Sequence, residues 1–372
     1  MTVLENFQKL PPWLRISLLF PLAFLNSWLI FVLLDYFQPL SSLFLAAALL
    51  AFLLDLPVRL LTVRGLQRGW AIFLVLAIAL ILLGMALLVL IPLIIDQLSE
   101  FLINLPQWIK SGNEQLNSLQ AWAISHKVAL DIDISQIVGE TIQKITGILN
   151  SLGNQVFSFV GITISTIFNG LILMVLTIFL VITGEKVWDG IFSWLPSPWP
   201  EKLKEPIRET FERYFATQAM LAGILSFAQM LVFTILQVPY AILFAVTIGV
   251  TTLIPYASAL SIVTISLLLM LQDFWLGFNV LIAAVIVGQI NDNIISPRLM
   301  GDMTGLNPVW IIVALFVGGK LGGVLGLLIA VPLASVLKAT IDNLRADSQD
   351  DAALKLGDPA QNDSLEMLTK VE

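Results

Sequence analysis

Long apolar runs recur along this chain and constrain its fold more than any other feature. Residues 16–34 form the first run, and residues 70–95 form a third that is long enough to cross a bilayer with some tilt. Because 58% of the 372 residues are hydrophobic and only 12% are charged, a soluble fold could not bury the apolar surface. We therefore expect an all-α polytopic integral membrane protein with about eight membrane segments in the lipid bilayer.

Scarce residue types exclude several classes of site. The chain has no cysteine and one histidine, His126, so we expect no disulfide, thiolate metal site or histidine-based triad. Lys320 lacks the surroundings of a phosphate-binding loop, and no serine nucleophile elbow is present. We therefore expect neither an enzyme nor a cofactor. The formal net charge of -7 argues against nucleic acid as a partner.

Charge placement predicts the orientation of the N-terminal half. Residues 1–95 hold three spans, and the arginines of their second loop place that loop and the N-terminus in the cytoplasm by the positive-inside rule. Residues 96–155 contain no arginine and two amphipathic stripes, so we expect an extracytosolic helical insertion. Residues 156–183 form a fourth span. Residues 184–213, with several tryptophans and prolines, are expected to form a cytosolic interfacial elbow.

The final segment, residues 338–372, is expected to be an acidic, disordered cytosolic tail. From Asp342 onward it carries eight acidic and three basic residues and little apolar periodicity. Most of the net charge therefore lies in this tail, and the membrane body is close to neutral.

The C-terminal transport region, residues 214–337, contains two apolar runs that we expect to be broken. Residues 239–272 are 34 residues without a charge, and a straight helix of that length would measure about 51 Å against a hydrocarbon core of about 30 Å. Pro255 is the expected break, and the glycine-rich stretch 318–326 is the second. Non-helical backbone at membrane depth is tolerated only inside protein or beside a wet cavity, so two breaks indicate a solute site.

Two topologies agree with a cytoplasmic C-terminus. In one, both broken runs cross the membrane, which gives eight crossings and places Arg298 outside. In the other, both runs double back as re-entrant hairpins from opposite sides, which gives six full crossings and places Arg298 inside. The second topology obeys the positive-inside rule better, and we favour it.

Candidate site residues cluster around the two breaks. The polar residues near the first break carry amides and a carboxylate, which suit a polyhydroxylated neutral solute or a cation. The expected binding residues are Pro255, Tyr256, Gln289, Asn291, Asp292 and Asn293. The residues expected to form the gate are Pro297, Gly318, Gly319, Lys320, Gly322, Gly323, Gly326 and Pro332. The alternatives are that the glycines only pack helices closely and that the polar group only caps a helix end. Lys320 requires an interface or a carboxylate partner, for which Asp292 and Asp302 are candidates.

These C-terminal motifs resemble the AI-2E family of transporters, which includes the autoinducer-2 exporters. The resemblance rests on L-I-P-Y at 253–256, on N-D-N-I-I-S-P-R-L-M-G at 291–301, and on G-G-K-L-G-G-V-L-G at 318–326 with A-V-P-L at 330–333. Residues 257–259 depart from the family, since they read Ala-Ser-Ala where members commonly have a turn that contains glycine and ends in proline.

The resemblance implies a bacterial inner-membrane protein that exports a small polar molecule by an elevator-type movement. It also implies a homo-oligomer, with a pentamer as one form. A sodium- or lithium-coupled proton antiporter is a second hypothesis, with Asp292 as the titrating carboxylate and H+ or Na+ as the coupling ion. A third is a membrane scaffold without transport, whose outer helices and acidic tail bind partners.

Overall fold

The protein is helical throughout the part of the chain that its structure, a computed structural model, describes. These residues are 21–126 without 23, 27, 31 and 34, together with 147, 164–194, 199–300 and 305–356. The α-helices after residue 39 are α1 Leu40–Val63, α2 Arg68–Met85, α3 Ile91–Ser125, α4 Ile164–Phe192, α5 Trp199–Ile235, α6 Ala241–Thr251, α7 Ala257–Gln272, α8 Phe274–Ile290, α9 Ser296–Met300 and α10 Pro308–Leu356. Two π-helical segments, Ala86–Leu90 and Asn291–Ile295, join α2 to α3 and α8 to α9. The expected all-α class is confirmed.

Six helical stretches within the described ranges are long and apolar enough to cross a membrane. They are Leu40–Val63, Arg68–Gln115, Phe168–Phe192, Leu203–Ile235, Phe274–Leu299 and Pro308–Asp342. The total of eight segments stays a prediction, because much of the expected first span, 16–34, lies outside the described residues. The second stripe of the insertion, the start of the fourth span and the end of the acidic tail lie outside them as well.

The N-terminal helices α1, α2 and α4 share one apolar core. Its buried members, which we call the N-terminal core, are Ala51, Val58, Ala71, Val75 and Val181. All five are alanine or valine, and such small or β-branched side chains let helices approach closely where lipid offers no hydrophobic driving force.

The C-terminal helices α5 to α8 form a second core together with α3. This C-terminal core contains Phe101, Leu105 and Trp108 from α3, packed with buried side chains such as Phe244 and Leu269. The first stripe of the expected insertion is therefore a packing surface for the C-terminal half. No loop separates the third span from the insertion, because α2, the π-helical segment and α3 form one continuous helix.

Ion pairs join the two halves at one end of the bundle, which we call the charged end. Arg208 of α5 donates to Asp55 of α1 through Nη2 and Oδ2 at 2.9 Å, and to Glu212 through Nε and Oε1 at 2.7 Å. Glu212 also accepts from Arg59 at 2.7 Å. Arg208 and both carboxylates are largely buried, so the network fixes α5 against α1. The expected elbow near this end is mostly helix, since α4 ends at Phe192 and α5 begins at Trp199.

Candidate functional site

The first predicted break is a turn between two antiparallel helices, α6 and α7. Helix α6 ends at Thr251 and α7 begins at Ala257, so Pro255 lies in the turn. Tyr256 ends the turn in the left-handed region, with φ at 68°. We call residues 241–272 hairpin 1. Its helices have 11 and 16 residues, about 17 and 24 Å, so each is shorter than a hydrocarbon core of about 30 Å.

The turn of hairpin 1 lies midway along the bundle. Gly249, near the end of α6, packs so closely on α5 that an added Cβ would lie 2.8 Å from the carbonyl oxygen of Ala222. Ala222 is about 15 Å along α5 from Glu212 at the charged end and about 20 Å from Ile235 at the other end. The non-helical backbone is therefore placed at depth, away from both ends.

The polar cluster of residues 289–293 spans the end of α8 and a π-helical turn. Asn293 donates to Gln289 at 2.6 Å, and Asn291 donates through Nδ2 to Oδ1 of Asp292 at 3.0 Å. The Asn291 side chain is buried, with 2% exposure, and its Oδ1 has no hydrogen-bond partner. Gln289, Asp292 and Asn293 are exposed. π-Helical turns of this kind occur often at functional sites.

The packing of α7 on α8 brings the cluster level with the turn of hairpin 1. A Cβ added to Gly277 would lie 2.7 Å from Cα of Met270, and one added to Gly288 would lie 3.5 Å from Cδ1 of Ile262. Continuing this antiparallel register by one turn places Asn291 opposite residue 258, two residues after Tyr256. By this register the predicted binding residues lie at one level, and we call them the tip site: residues 252–256 and 289–293.

The second predicted break is a reversal of the chain inside α10. Gly323 has φ 56° and ψ −135°, a pair of backbone angles far from those of an α-helix. A Cβ added to Gly318 would lie 3.0 Å from the carbonyl carbon of Gly326, whereas residues eight apart in a straight helix are separated by about 12 Å. The two arms therefore run antiparallel. At their base, the ammonium of Lys338 donates to the carbonyl of Gly305. We call residues 308–338 hairpin 2.

Three of the predicted gate glycines lie on a different surface from the tip site. Gly318, Gly322 and Gly326 line a groove of about 1390 Å³ whose other wall is formed by residues 35–45, and no tip-site residue lines this groove. Pro297 is exposed on α9, whereas Pro332 is buried in the second arm of hairpin 2. Gly319 packs against Leu327 across the arms of the hairpin.

Lys320 is exposed and has no ion pair with a carboxylate among the described residues. The candidate partner Asp302 lies outside the described residues, and Asp292 bonds to Asn291. His126, at the end of the described part of the insertion, is exposed as well. The same ranges contain no group of histidine, aspartate or glutamate side chains that could hold a metal ion.

Sequence reasoning missed one polar residue inside the C-terminal core. Gln229 of α5 is fully buried, donates to the carbonyl of Ala284 at 3.0 Å, and leaves its Oε1 without a partner. The sequence contained a signal for this residue: an amide side chain in the middle of an apolar span is energetically costly unless it has a hydrogen-bond partner.

Comparison with known proteins gives consistent similarities along almost the whole chain. The sequence profile described as AI-2E family transporter matches residues 18–346. Two Synechocystis proteins named for transport, sll0060 and sll0063, are 34% identical over 343 residues and 32% identical over 328 residues. These alignments cover 91% and 88% of this chain and 99% and 83% of the relatives. The Escherichia coli AI-2 transport protein TqsA is 22% identical over 284 residues, which are 73% of this chain and 78% of TqsA.

Proposed function

The chain belongs to the AI-2E transporter family, and from this premise we propose that it is a secondary transporter that exports a small polar solute through the tip site. One observation carries the proposal: a buried amide oxygen, Oδ1 of Asn291, is left without a partner at the level of a helix break. A buried acceptor without a partner costs about 1–3 kcal/mol. A solute that donates a hydrogen bond there would recover this cost.

The free groups of the tip site favour a solute that is rich in hydrogen-bond donors. Asn291 donates one Nδ2 hydrogen to Asp292, and its buried Oδ1, which has no partner, is an acceptor that it can offer to a solute. The second carboxylate oxygen of Asp292 is another acceptor. Hydroxyl groups of a small polyhydroxylated solute match these acceptors, whereas an anion would be repelled. The relative TqsA is named for AI-2. We therefore propose a neutral, autoinducer-2-like solute.

The two cores support alternating access of the elevator type. The tip site lies within the half of the molecule that is organised by the C-terminal core, and α1, α2 and α4 are organised by the N-terminal core. Movement of one body against the other, at a distance from the charged end where ion pairs hold α5 to α1, would carry the tip site across the barrier. With the charged end in the cytoplasm of a bacterial inner membrane, hairpin 1 enters from outside, hairpin 2 enters from inside, and both termini are cytoplasmic.

Solute efflux from proteoliposomes tests this function directly. Asn291→Ala should reduce the efflux of autoinducer-2 by about tenfold or more, because the buried acceptor is lost from the site. Ile294→Ala is the matched control, since Ile294 is an exposed apolar residue in the same π-helical segment. Wild-type efflux in Asn291→Ala and in Asp292→Asn would show that the solute does not pass through the tip site.

A cation/proton antiporter is the second candidate, because Asp292 is the single carboxylate in the tip site. The same vesicles, loaded with a pH-sensitive dye, separate the two functions. Proton movement driven by a sodium or lithium gradient, and abolished by Asp292→Asn, would favour the antiporter. If neither solute efflux nor proton movement occurs in wild-type vesicles, the scaffold hypothesis is the one that agrees with the result.

A further inference from the structure

The continuous helix from Arg68 to Ser125 contains the π-helical segment Ala86–Leu90 and, further along, an interior proline, Pro106. The N–H of Ile91 donates to the carbonyl of Ala86, five residues back, where an α-helix would bond four residues back. Four of the five residues of this segment are exposed, and Leu88 reaches 80% exposure. π-Helical turns are among the few recognised places where a helix kinks.

On the N-terminal side of this segment, the helix belongs to the N-terminal core. Ala71 and Val75 of α2 are buried against α1 and α4, where Val58 and Val181 are their neighbours in the core. None of the residues of α2 belongs to the C-terminal core.

On the C-terminal side, residues 97–115 of α3 hold both ends of hairpin 1, and we call these residues the strap. Leu243, at the start of the hairpin, donates its backbone N–H to Oε1 of Gln97 at 2.9 Å. Near the end of the hairpin, the carbonyl of Leu271 accepts from Gln115 at 3.2 Å. The strap therefore connects the first and the last turn of hairpin 1.

Aromatic packing makes the strap and hairpin 1 one unit. The ring of Phe101 lies 5.8 Å from that of Tyr240 and 5.6 Å from that of Phe244, both edge to face. Asn104 donates to the Tyr240 hydroxyl at 2.8 Å. Gly112 lies so close to Leu271 that an added Cβ would be 3.3 Å from its Cα. Three side chains of the strap that form hydrogen bonds and a buried aromatic cluster hold this contact, so hairpin 1 cannot move without the strap.

We propose that Ala86–Leu90 is a hinge about which the strap and hairpin 1 turn as one body against α1, α2 and α4. Each flanking helix is fixed to a different core, and the segment between them is exposed and already departs from α-helical hydrogen bonding. The inference rests on the proposed function in one respect: the movement would serve to expose the tip site alternately to the two sides.

Distances between spin labels test the hinge. The chain has no cysteine, so Ile78→Cys and Ile103→Cys introduce the only thiols, one on each side of the segment. Both side chains are exposed, and a straight helix would separate the two positions by about 37 Å. We expect two populations of distances in vesicles, with their ratio changed by added autoinducer-2. A pair within one body, Ile103→Cys with Leu260→Cys, should give one population throughout.

The π-helical turn contains one residue more than an α-helical turn. Deletion of Leu88 removes this residue, restores an α-helical turn and keeps the buried faces of α2 and α3 in their present orientation relative to each other. We expect one population of distances in this variant and a flux lower by about tenfold. Leu88→Ala keeps the length of the segment and should behave like the wild type. A single population in the unaltered segment, with and without solute, would overturn the hinge even if the deletion variant failed to fold.

The hinge and the proposed function fail in distinguishable ways. Two populations without any solute flux would retain the hinge and refute export. Export with one fixed distance across the segment would retain the function and refute the hinge. Two populations that persist after the deletion of Leu88 would also refute the hinge, because the movement would then arise elsewhere.

Discussion

Gly318 and Gly326 lie backbone against backbone in hairpin 2, although eight positions separate them in the sequence. A Cβ on Gly326 would lie 2.8 Å from the carbonyl carbon of Gly318, closer than real Cβ atoms approach other groups. The contact exists because the chain reverses at Gly323, whose φ of +56° is unfavourable for residues with a side chain. Hairpin 2 therefore requires glycine where its arms cross.

Gly326→Ala should lower the free energy of unfolding by about 1–3 kcal/mol, because the new methyl group meets backbone that cannot move aside cheaply. Gly322→Ala is the matched control, since an added Cβ there meets nothing within 4 Å and φ is not positive. Thermal unfolding of the purified protein in detergent measures both. Equal melting temperatures for the two variants would contradict the crossing geometry.

Arg208→Met should destabilise the protein by about 2–4 kcal/mol, because Asp55 and Glu212 would remain largely buried without this cation. Lys204→Met, on the same helix as Arg208, removes an exposed ion pair with Asp189 of α4, and such pairs contribute about 0–1 kcal/mol. Denaturant titration of both variants provides the comparison. If both variants lose the same small amount of stability, the network does not fix α5 against α1.

Phe101→Ala should cost about 3–5 kcal/mol, because it empties the centre of the aromatic cluster between the strap and hairpin 1. Ile103→Ala, two residues along the strap, should change stability by about 0.5 kcal/mol or less, since Ile103 is 78% exposed. Limited proteolysis measures whether the strap stays docked. Similar cleavage of the two variants would argue against the strap as a fixed part of hairpin 1.

Tyr256→Val should cost about 1–3 kcal/mol, because a β-branched residue is strained at the φ of 68° that this turn requires. Tyr256→Gly should keep the turn, since glycine adopts this conformation freely. Thermal unfolding of the two variants checks the turn. Leu260→Val, at an exposed position within α7, controls for the change to valine. If Leu260→Val loses as much stability as Tyr256→Val, the loss does not arise from the positive φ at residue 256.

The two breaks could be predicted from the sequence because both are local properties of the backbone. A run of 34 uncharged residues, 239–272, is too long for one straight crossing, and Pro255 stands near its centre. Gly323 lies within a stretch dense in glycine, and the chain reverses there. The grouping of residues 289–293 was equally local, since neighbours in sequence remain neighbours on one helical turn.

The partners of the charged side chains could not be predicted in this way. The arginines of the second loop indicated orientation, yet Arg59 bonds to Glu212, which is 153 residues away in the sequence. The first stripe of the insertion, with Phe101, predicted an amphipathic helix and left its partner open. Such pairings depend on the register of distant helices, and one sequence carries no periodic signal for that register.

The length of α3 gives the hinge a mechanical consequence. From Leu88 to Gln115 the helix measures about 40 Å, so it acts as a lever arm whose tip moves by about 0.7 Å for each degree of bending. A bend of about ten degrees would displace the far end of the strap by about 7 Å, more than one helical turn. A modest local distortion within five residues would thus be amplified into a stroke large enough to reposition a whole hairpin.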